Sequence, residues 1–192
     1  FTSGVFSSLD LSFATKFTST ANYFINACDS LTSITEPTVT EGIIFTSSQG
    51  NDLITTVDLS GFPEFRIVIT WAGNNLLATL TFPTITIGTK INVNLSNNDL
   101  DYTDFTVLTD LLDFNDVVLN LDDNSFTTTE TNQHLVDFAA MVAAGGSRTG
   151  RVINIAGGGG DANDAPDGGP SGGDGDQAVI DLVAASVVVN TN

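Results

Sequence analysis

The chain has 192 residues and a formal net charge of −18, from 23 acidic and 5 basic side chains, with 41% hydrophobic residues, 13 Phe and one Cys. This balance excludes a disordered chain, which lacks the apolar content for a core, and it disfavours nucleic acid or anionic lipid as partners, because an acidic surface repels phosphate. The lone Cys28 makes no internal disulfide or thiolate cluster, and no apolar run reaches the length of a membrane span.

Residues 1–22 alternate loosely and read as an N-terminal cap, in which Leu9-Asp10-Leu11 is matched further on by Ile34. Phe6, Phe13 and Phe17 are placed to cover the open end of a core. From Tyr23 to Phe126 one frame recurs, apolar-x-apolar-x-x-Asn-x-apolar. Its clearest copies are Val93–Leu100 and Leu119–Phe126, with Ile69–Leu76 as a third and Asn51-Asp52-Leu53 and Asp29-Ser30-Leu31 as weaker ones. The turn positions Asp29, Asn51, Asn74, Asn98 and Asn124 follow one another at nearly even, slowly widening intervals. Every interval falls within the roughly 20–29 residues that one strand-and-return unit occupies. Asn51–Leu59 also overlays Asn74–Phe82 without a gap. The spacing predicts short parallel strands whose alternate residues point inward, an Asn bonding backbone groups where the chain turns, and a following apolar plug. Cys28, beside the first turn, reads as a small core filler.

The segments between strands, such as Ser60–Glu64 and Phe82–Thr84, carry Gly or Pro with β-branched residues and predict extended returns. Phe105, Leu108, Leu111 and Leu112 have helical spacing and predict a short helix within Tyr102–Leu112. After Phe126 the frame lengthens. Ile153-Asn154-Ile155-Ala156-Gly157-Gly158 and Val187–Asn192 repeat it, with turn positions at Asn124, Gly158 and Asn192 that are equally spaced and further apart than the earlier ones. His134–Ala144 is apolar at helical spacing and stops at Gly145-Gly146, and Asp174–Gln177 resembles a capping box ahead of Ala178–Ala185. Residues 127–192 therefore form two helix-strand units that cap the repeats, separated by a Gly/Asp-rich loop over residues 157–176.

On these residues the chain resembles leucine-rich repeat proteins. Its ending, through Ile153, Ile155, Gly157, Gly158, Ala165, Pro166, Val187, Val189 and Asn192, resembles the closing segment of repeat domains in bacteriophage structural and tail proteins. The Gly/Asp loop is longer than in that pattern, and Val188 stands where its tryptophan would be. The resemblance implies one domain over residues 1–192, a repeat solenoid with a leucine-rich-repeat-like parallel β-sheet and short return segments. It implies a non-enzymatic virion structural protein, a capsid decoration, fibre or tail component, that binds other virion subunits or copies of itself. The alternative is a bacterial cell-surface or secreted adhesin that binds a host receptor, protein or glycan.

The residues that could carry chemistry fit that expectation. His134 is the only histidine, no serine sits in a G-x-S-x-G turn, and Asp122-Asp123 falls in a repeat turn where Asp bonds its own backbone. The remaining candidate is a cation, Ca²⁺, held by Asp161, Asn163, Asp164 and Asp167 with Gly168. This segment offers hard oxygens but has neither the spacing nor the terminal Glu of an EF-hand. Gly157–Gly160 lacks the Lys-Ser/Thr of a phosphate loop.

Overall fold

The computed structural model describes residues 5–13, 20–26, 28–35, 43–49, 53–58, 68–73, 76–81, 91–100, 116–145, 149–157, 163–168 and 173–192. Within them the fold is α/β, with parallel strands and two helices. The strands are β1 (Ser8–Asp10), β2 (Thr20–Asn26), β3 (Ser33–Thr35), β4 (Ile43–Gln49), β5 (Thr56–Asp58), β6 (Val68–Ala72), β7 (Thr79–Thr81), β8 (Ile91–Asn94), β9 (Val117–Asn120), β10 (Arg151–Asn154) and β11 (Val187–Asn190). The helices are α1 (Thr128–Gly145) and α2 (Gly175–Ala184).

Seven strands form one sheet in the order β11-β10-β9-β8-β6-β4-β2, so spatial order follows chain order. Between visits to this sheet the chain passes through β3, β5 or β7, or later through a helix. β1 pairs with β3 and β5 with β7 in two small parallel sheets. The registers carry the expected spacing. Leu9 faces Ile34, Thr46 faces Ile69, Ile69 faces Val93 and Val93 faces Leu119. The gapless overlay of residues 51–59 on 74–82 is the β5–β7 pair, Thr56 against Thr79.

Three expectations are corrected by the structure. The pairing of β2 with β4 ends at Asn26 against Gln49, and of the residues that follow it is Cys28 and not Asp29 that turns inward. Cys28 is fully buried while Asp29 is exposed, as suits a frame that accepts Asn or Cys at this place. The plugs expected at Leu53 and Leu76 are 43% and 44% exposed, and the next residues, Ile54 and Leu77, are fully buried instead. Finally, β10 and β11 pair Asn154 with Asn190, which places Asn192 opposite Ala156 and not opposite Gly158. Asn192 therefore falls short of a turn position.

The core runs along the inner face of the large sheet through Val93, Leu95, Val117, Leu119, Leu121, Ile153, Ile155 and Val187, and α1 and α2 close it with Leu135, Phe138, Val142, Ala178 and Leu182. Arg151 occupies an inward position level with Val187 and is itself buried, its Nη2 donating to the Ala185 carbonyl at 3.3 Å. α1 begins well ahead of His134, because Thr127 and Glu130 cap it reciprocally. The Thr127 N–H donates to Glu130 Oε2 at 2.9 Å and the Glu130 N–H to Thr127 Oγ1 at 3.4 Å. For α2 the expected cap holds, with Asp174 Oδ1 accepting the Gln177 N–H at 2.9 Å. The residue before each late strand is left-handed: Asp116 at φ 57, Gly150 at φ 72 and Ser186 at φ 65. A Cβ on Gly150 would displace the Asp116 carboxylate and press on the Asp116 Cα at 3.1 Å, so glycine fits this left-handed position best. The returns expected at Ser60–Glu64 and Phe82–Thr84 and the helix at Tyr102–Leu112 lie outside the described residues.

Candidate functional site: the asparagine ladder and the Gly/Asp loop

Each strand of the C-terminal part, β8 to β11, ends in an Asn, and in β8 and β9 its side chain bonds the turn that follows. Asn94 Oδ1 accepts the Ser96 N–H at 3.1 Å and the Ser96 hydroxyl at 2.9 Å, and Asn120 Oδ1 accepts the Asp122 N–H at 3.0 Å. The strand ladder then continues into the turn, Leu95 N–H to Asn120 O at 2.8 Å and Asn97 N–H to Asp122 O at 3.0 Å. Left-handed residues follow, Asn97 at φ 57 and Asp123 at φ 55, each immediately before a turn asparagine. Such residues occupy that region because their short polar side chains tolerate it.

Asn98 and Asn124 point inward and are 4% and 1% exposed. Asn98 Nδ2 donates to the carbonyl of Leu95 at 2.8 Å. Asn124 Nδ2 donates to its own Leu121 carbonyl at 2.8 Å and to Leu95 of the preceding strand at 3.0 Å. Its Oδ1 accepts the Leu100 N–H at 3.4 Å. The Asn124 amide thus joins its own turn to the one before.

The third place in this column is filled by Asn163. Its Nδ2 donates to Ile155 O at 3.1 Å and to Leu121 O of the preceding turn at 2.9 Å, while its Oδ1 accepts the N–H groups of Asn124 at 2.9 Å and Phe126 at 3.1 Å. The bonding repeats that of Asn124, although Asn163 is much further along the chain from Ile155 than Asn124 is from Leu121. The Asn192 amide reaches on to the Asn163 carbonyl. Asn192 therefore touches the column without occupying a turn position.

Asn163, one of the four expected cation ligands, is thus occupied elsewhere. It is 2% exposed and both ends of its amide are taken by backbone. Asp164 Oδ2 accepts the Thr128 N–H at 3.1 Å and so serves the N-terminus of α1. Asp167 and Asn132 form a two-bond pair, Asn132 Nδ2 to Asp167 Oδ1 at 2.7 Å and Asp167 N–H to Asn132 Oδ1 at 3.0 Å, and the Asp167 carbonyl accepts the Gly175 N–H at 2.9 Å. Asp161 lies outside the described residues, as do Asn51 and Asn74. Among the described residues no three His, Cys, Asp or Glu side chains gather as a metal site. The described part of the loop is a strap that binds the turn column to α1 and α2.

His134 lies in the core between Phe126, at 4.6 Å between ring centroids, and Phe138, at 6.1 Å. Burial pulls its pKa down from 6.5 to about 3, so the ring is neutral at physiological pH. Asp122 is pushed up by burial, against the lowering effect of the Ala156 N–H that its Oδ1 accepts at 2.7 Å. Val136, Ala139, Ala140, Ala143, Gln177 and Ala178 line a 470 Å³ groove between α1 and α2. No described helix is long and apolar enough to cross a membrane.

Two features had a local signal in the sequence that the repeat frame obscured. Val93-Asn94-Leu95, Leu119-Asn120-Leu121, Ile153-Asn154-Ile155 and Val189-Asn190-Thr191 share an Asn at the strand end, and this row aligns Asn190 with Asn154 directly. Thr127-Thr128-Thr129-Glu130 is a capping box. The role of Asn163 left no local trace. No family model, no curated protein and no solved structure matches the chain.

Proposed function

We propose that the chain is a non-enzymatic virion structural protein, a leucine-rich-repeat-like solenoid that serves as a capsid decoration, fibre or tail component through protein–protein binding. The observation that carries this reading is the inward asparagine column. Asn98, Asn124 and Asn163 spend their amides on backbone, as structural rungs do, and leave the outer face of a parallel sheet for contact. The polar groups with the most chemical promise are likewise committed to packing: His134 to the core, Asp164 and Asp167 to the helix termini. The phage-like closing segment from Ile153 to Asn192 points to a virion.

The test is to purify phage particles from the producing culture, quantify the chain by mass spectrometry and locate it by antibody labelling in the electron microscope. A constant copy number per particle is the expected result. Recovery as a freely secreted monomer or on the bacterial surface would overturn it in favour of an adhesin.

A further inference from the structure

The outer face of the large sheet over β8–β11 consists of two rows set by the strand register. Asn94, Asn120, Asn154 and Asn190 stand opposite one another in successive strands, and two residues earlier Val118, Val152 and Val188 do the same, with Asn92 completing their row. These residues alternate with the buried Val93, Leu119 and Ile153 and so point away from the core. Asn92, Val188 and Asn190 are exposed and the others half-buried. Neither row holds a charged side chain, although the chain carries −18. The carboxylates that follow in this register lie past the strand ends, Asp116 before β9 and Asp122 after it, and Asp122 Oδ1 takes the Ala156 N–H.

The amides of the asparagine row are fixed in one sense. Oδ1 of Asn94 and of Asn120 accepts a backbone N–H of the turn that follows, and Oδ1 of Asn154 accepts Asn190 Nδ2 at 2.6 Å. Among the described residues no acceptor takes the Nδ2 of Asn94, Asn120 or Asn154. Three oriented donors are therefore left on an uncharged face, about 4.8 Å apart as neighbouring strands are.

We propose that this face binds an extended neutral polysaccharide, whose oxygens accept the Nδ2 groups of Asn94, Asn120 and Asn154 while the C–H faces of its sugars lie on Val118, Val152 and Val188. Three properties of the face select this occupant. It offers donors, so a second copy, which brings the same committed acceptors and free donors, matches it poorly. Its period is about 4.8 Å, whereas a peptide strand presents same-side groups only about every 6.6 Å; sugars of an extended polysaccharide recur close to the strand spacing. The chain around it is acidic, so a nucleic acid or an anionic polysaccharide is repelled and a neutral one is not. The inference rests on register and amide bonding and stands apart from the virion assignment.

Affinity electrophoresis of the full chain is the test, because a chain of net charge −18 runs towards the anode and an uncharged polymer in the gel slows it by binding. The probes are dextran, amylose, galactomannan and β-1,3-glucan. At least one is expected to retard the chain, while the anionic polymer alginate does not. Asn120→Asp with Asn154→Asp keeps an oxygen for the Asp122 N–H and for Asn190 Nδ2 but removes two donors, and should weaken binding of that neutral probe at least tenfold while circular dichroism stays native. Val152→Ser, which adds no charge to the face, should weaken it as well, and this separates loss of contact from a disturbed sheet. Ile180→Ser, on an exposed position of α2, should leave binding unchanged. The side-chain Nδ2–H signals of Asn94, Asn120 and Asn154 should shift in NMR spectra when the probe is added. No retardation by any of the four probes, equal retardation by alginate, or binding that survives the double Asn→Asp variant would each overturn the proposal.

Discussion

Up to β8 the chain leaves and re-enters the large sheet by way of three-residue strands, whereas beyond β9 it does so through α1 and α2. The strand returns bring Thr46 against Ile69 and Ile69 against Val93, and the helical ones bring Leu119 against Ile153 and Ile153 against Val189. The helical unit is plainly the longer in sequence, with 18 residues in α1 and 10 in α2 against three in β5 or β7. A helix advances only about 1.5 Å per residue and a strand about 3.3 Å, which accounts for part of the difference. The helix offsets this in burial. β5 buries one residue, Val57, while α1 buries Thr131, Asn132, His134, Leu135, Phe138 and Val142. The longer unit also needs a strap to tie the helix to the turn, and residues 163–168 supply it.

The largest effect that tests this comparison is expected from removing the strap's amide. Asn163→Ala leaves Ile155 O and the N–H groups of Asn124 and Phe126 buried without that partner, and should cost about 4 kcal/mol in urea unfolding. Asn98→Ala, in the strand-return half, removes bonds to Leu95 O and Ser96 O, which keep the Asn124 amide and the Gly73 N–H, and should cost at least about 1.5 kcal/mol. Equal losses would show that the two halves do not differ in this respect.

Acid should act next, and through the helical half. The folded pKa of His134, about 3, lies below the ordinary 6.5, so the unfolded chain binds the proton first as pH falls. The stability from this site is complete above about pH 6.5 and declines towards pH 3, by about 3 kcal/mol at pH 4. His134→Phe should flatten that part of the pH profile of the urea midpoint.

Smaller again is the effect at the strand entries. Gly150→Ala combines a left-handed φ with a collision against Asp116 and should lower stability by about 2–3 kcal/mol. Gly73→Ala, left-handed but in open space, should lower it by about 1 kcal/mol. Smallest is Thr127→Ala, which removes one partner of the α1 cap and should cost about 1 kcal/mol by thermal melting.

Much of the strand frame was legible in the chain because its period is local. An apolar residue at every second place and an asparagine shortly beyond the strand end hold for Val93–Asn98 and Leu119–Asn124 without reference to the rest of the molecule. Where neighbouring residues had equal claims, pattern chose wrongly. Leu53 and Ile54 are both aliphatic, as are Leu76 and Leu77, and only packing distinguishes the buried one. Asp29 looked more like an asparagine than Cys28 did, yet Cys28 is the one buried and Asp29 is exposed, as burial costs a carboxylate far more than a thiol. Asn163, Asp164 and Asp167 of the expected cation loop bond backbone or Asn132, and Asp161 lies outside the described residues; a cluster of Asp and Asn side chains reads alike whether it faces a metal or backbone.

Spacing alone was enough for the parallel pairing, the two late helices and the N-terminal cap of α2, because each depends on residues within one or two turns of chain. The place of Asn163 in the ladder, the slip of the last strand and the burial of Arg151 were set by contacts between segments far apart in sequence, Asn163 with Leu121, Asn190 with Asn154 and Arg151 with Ala185. Such contacts arise when strands stack and buried amides must each find a partner, a condition that no short window of sequence contains.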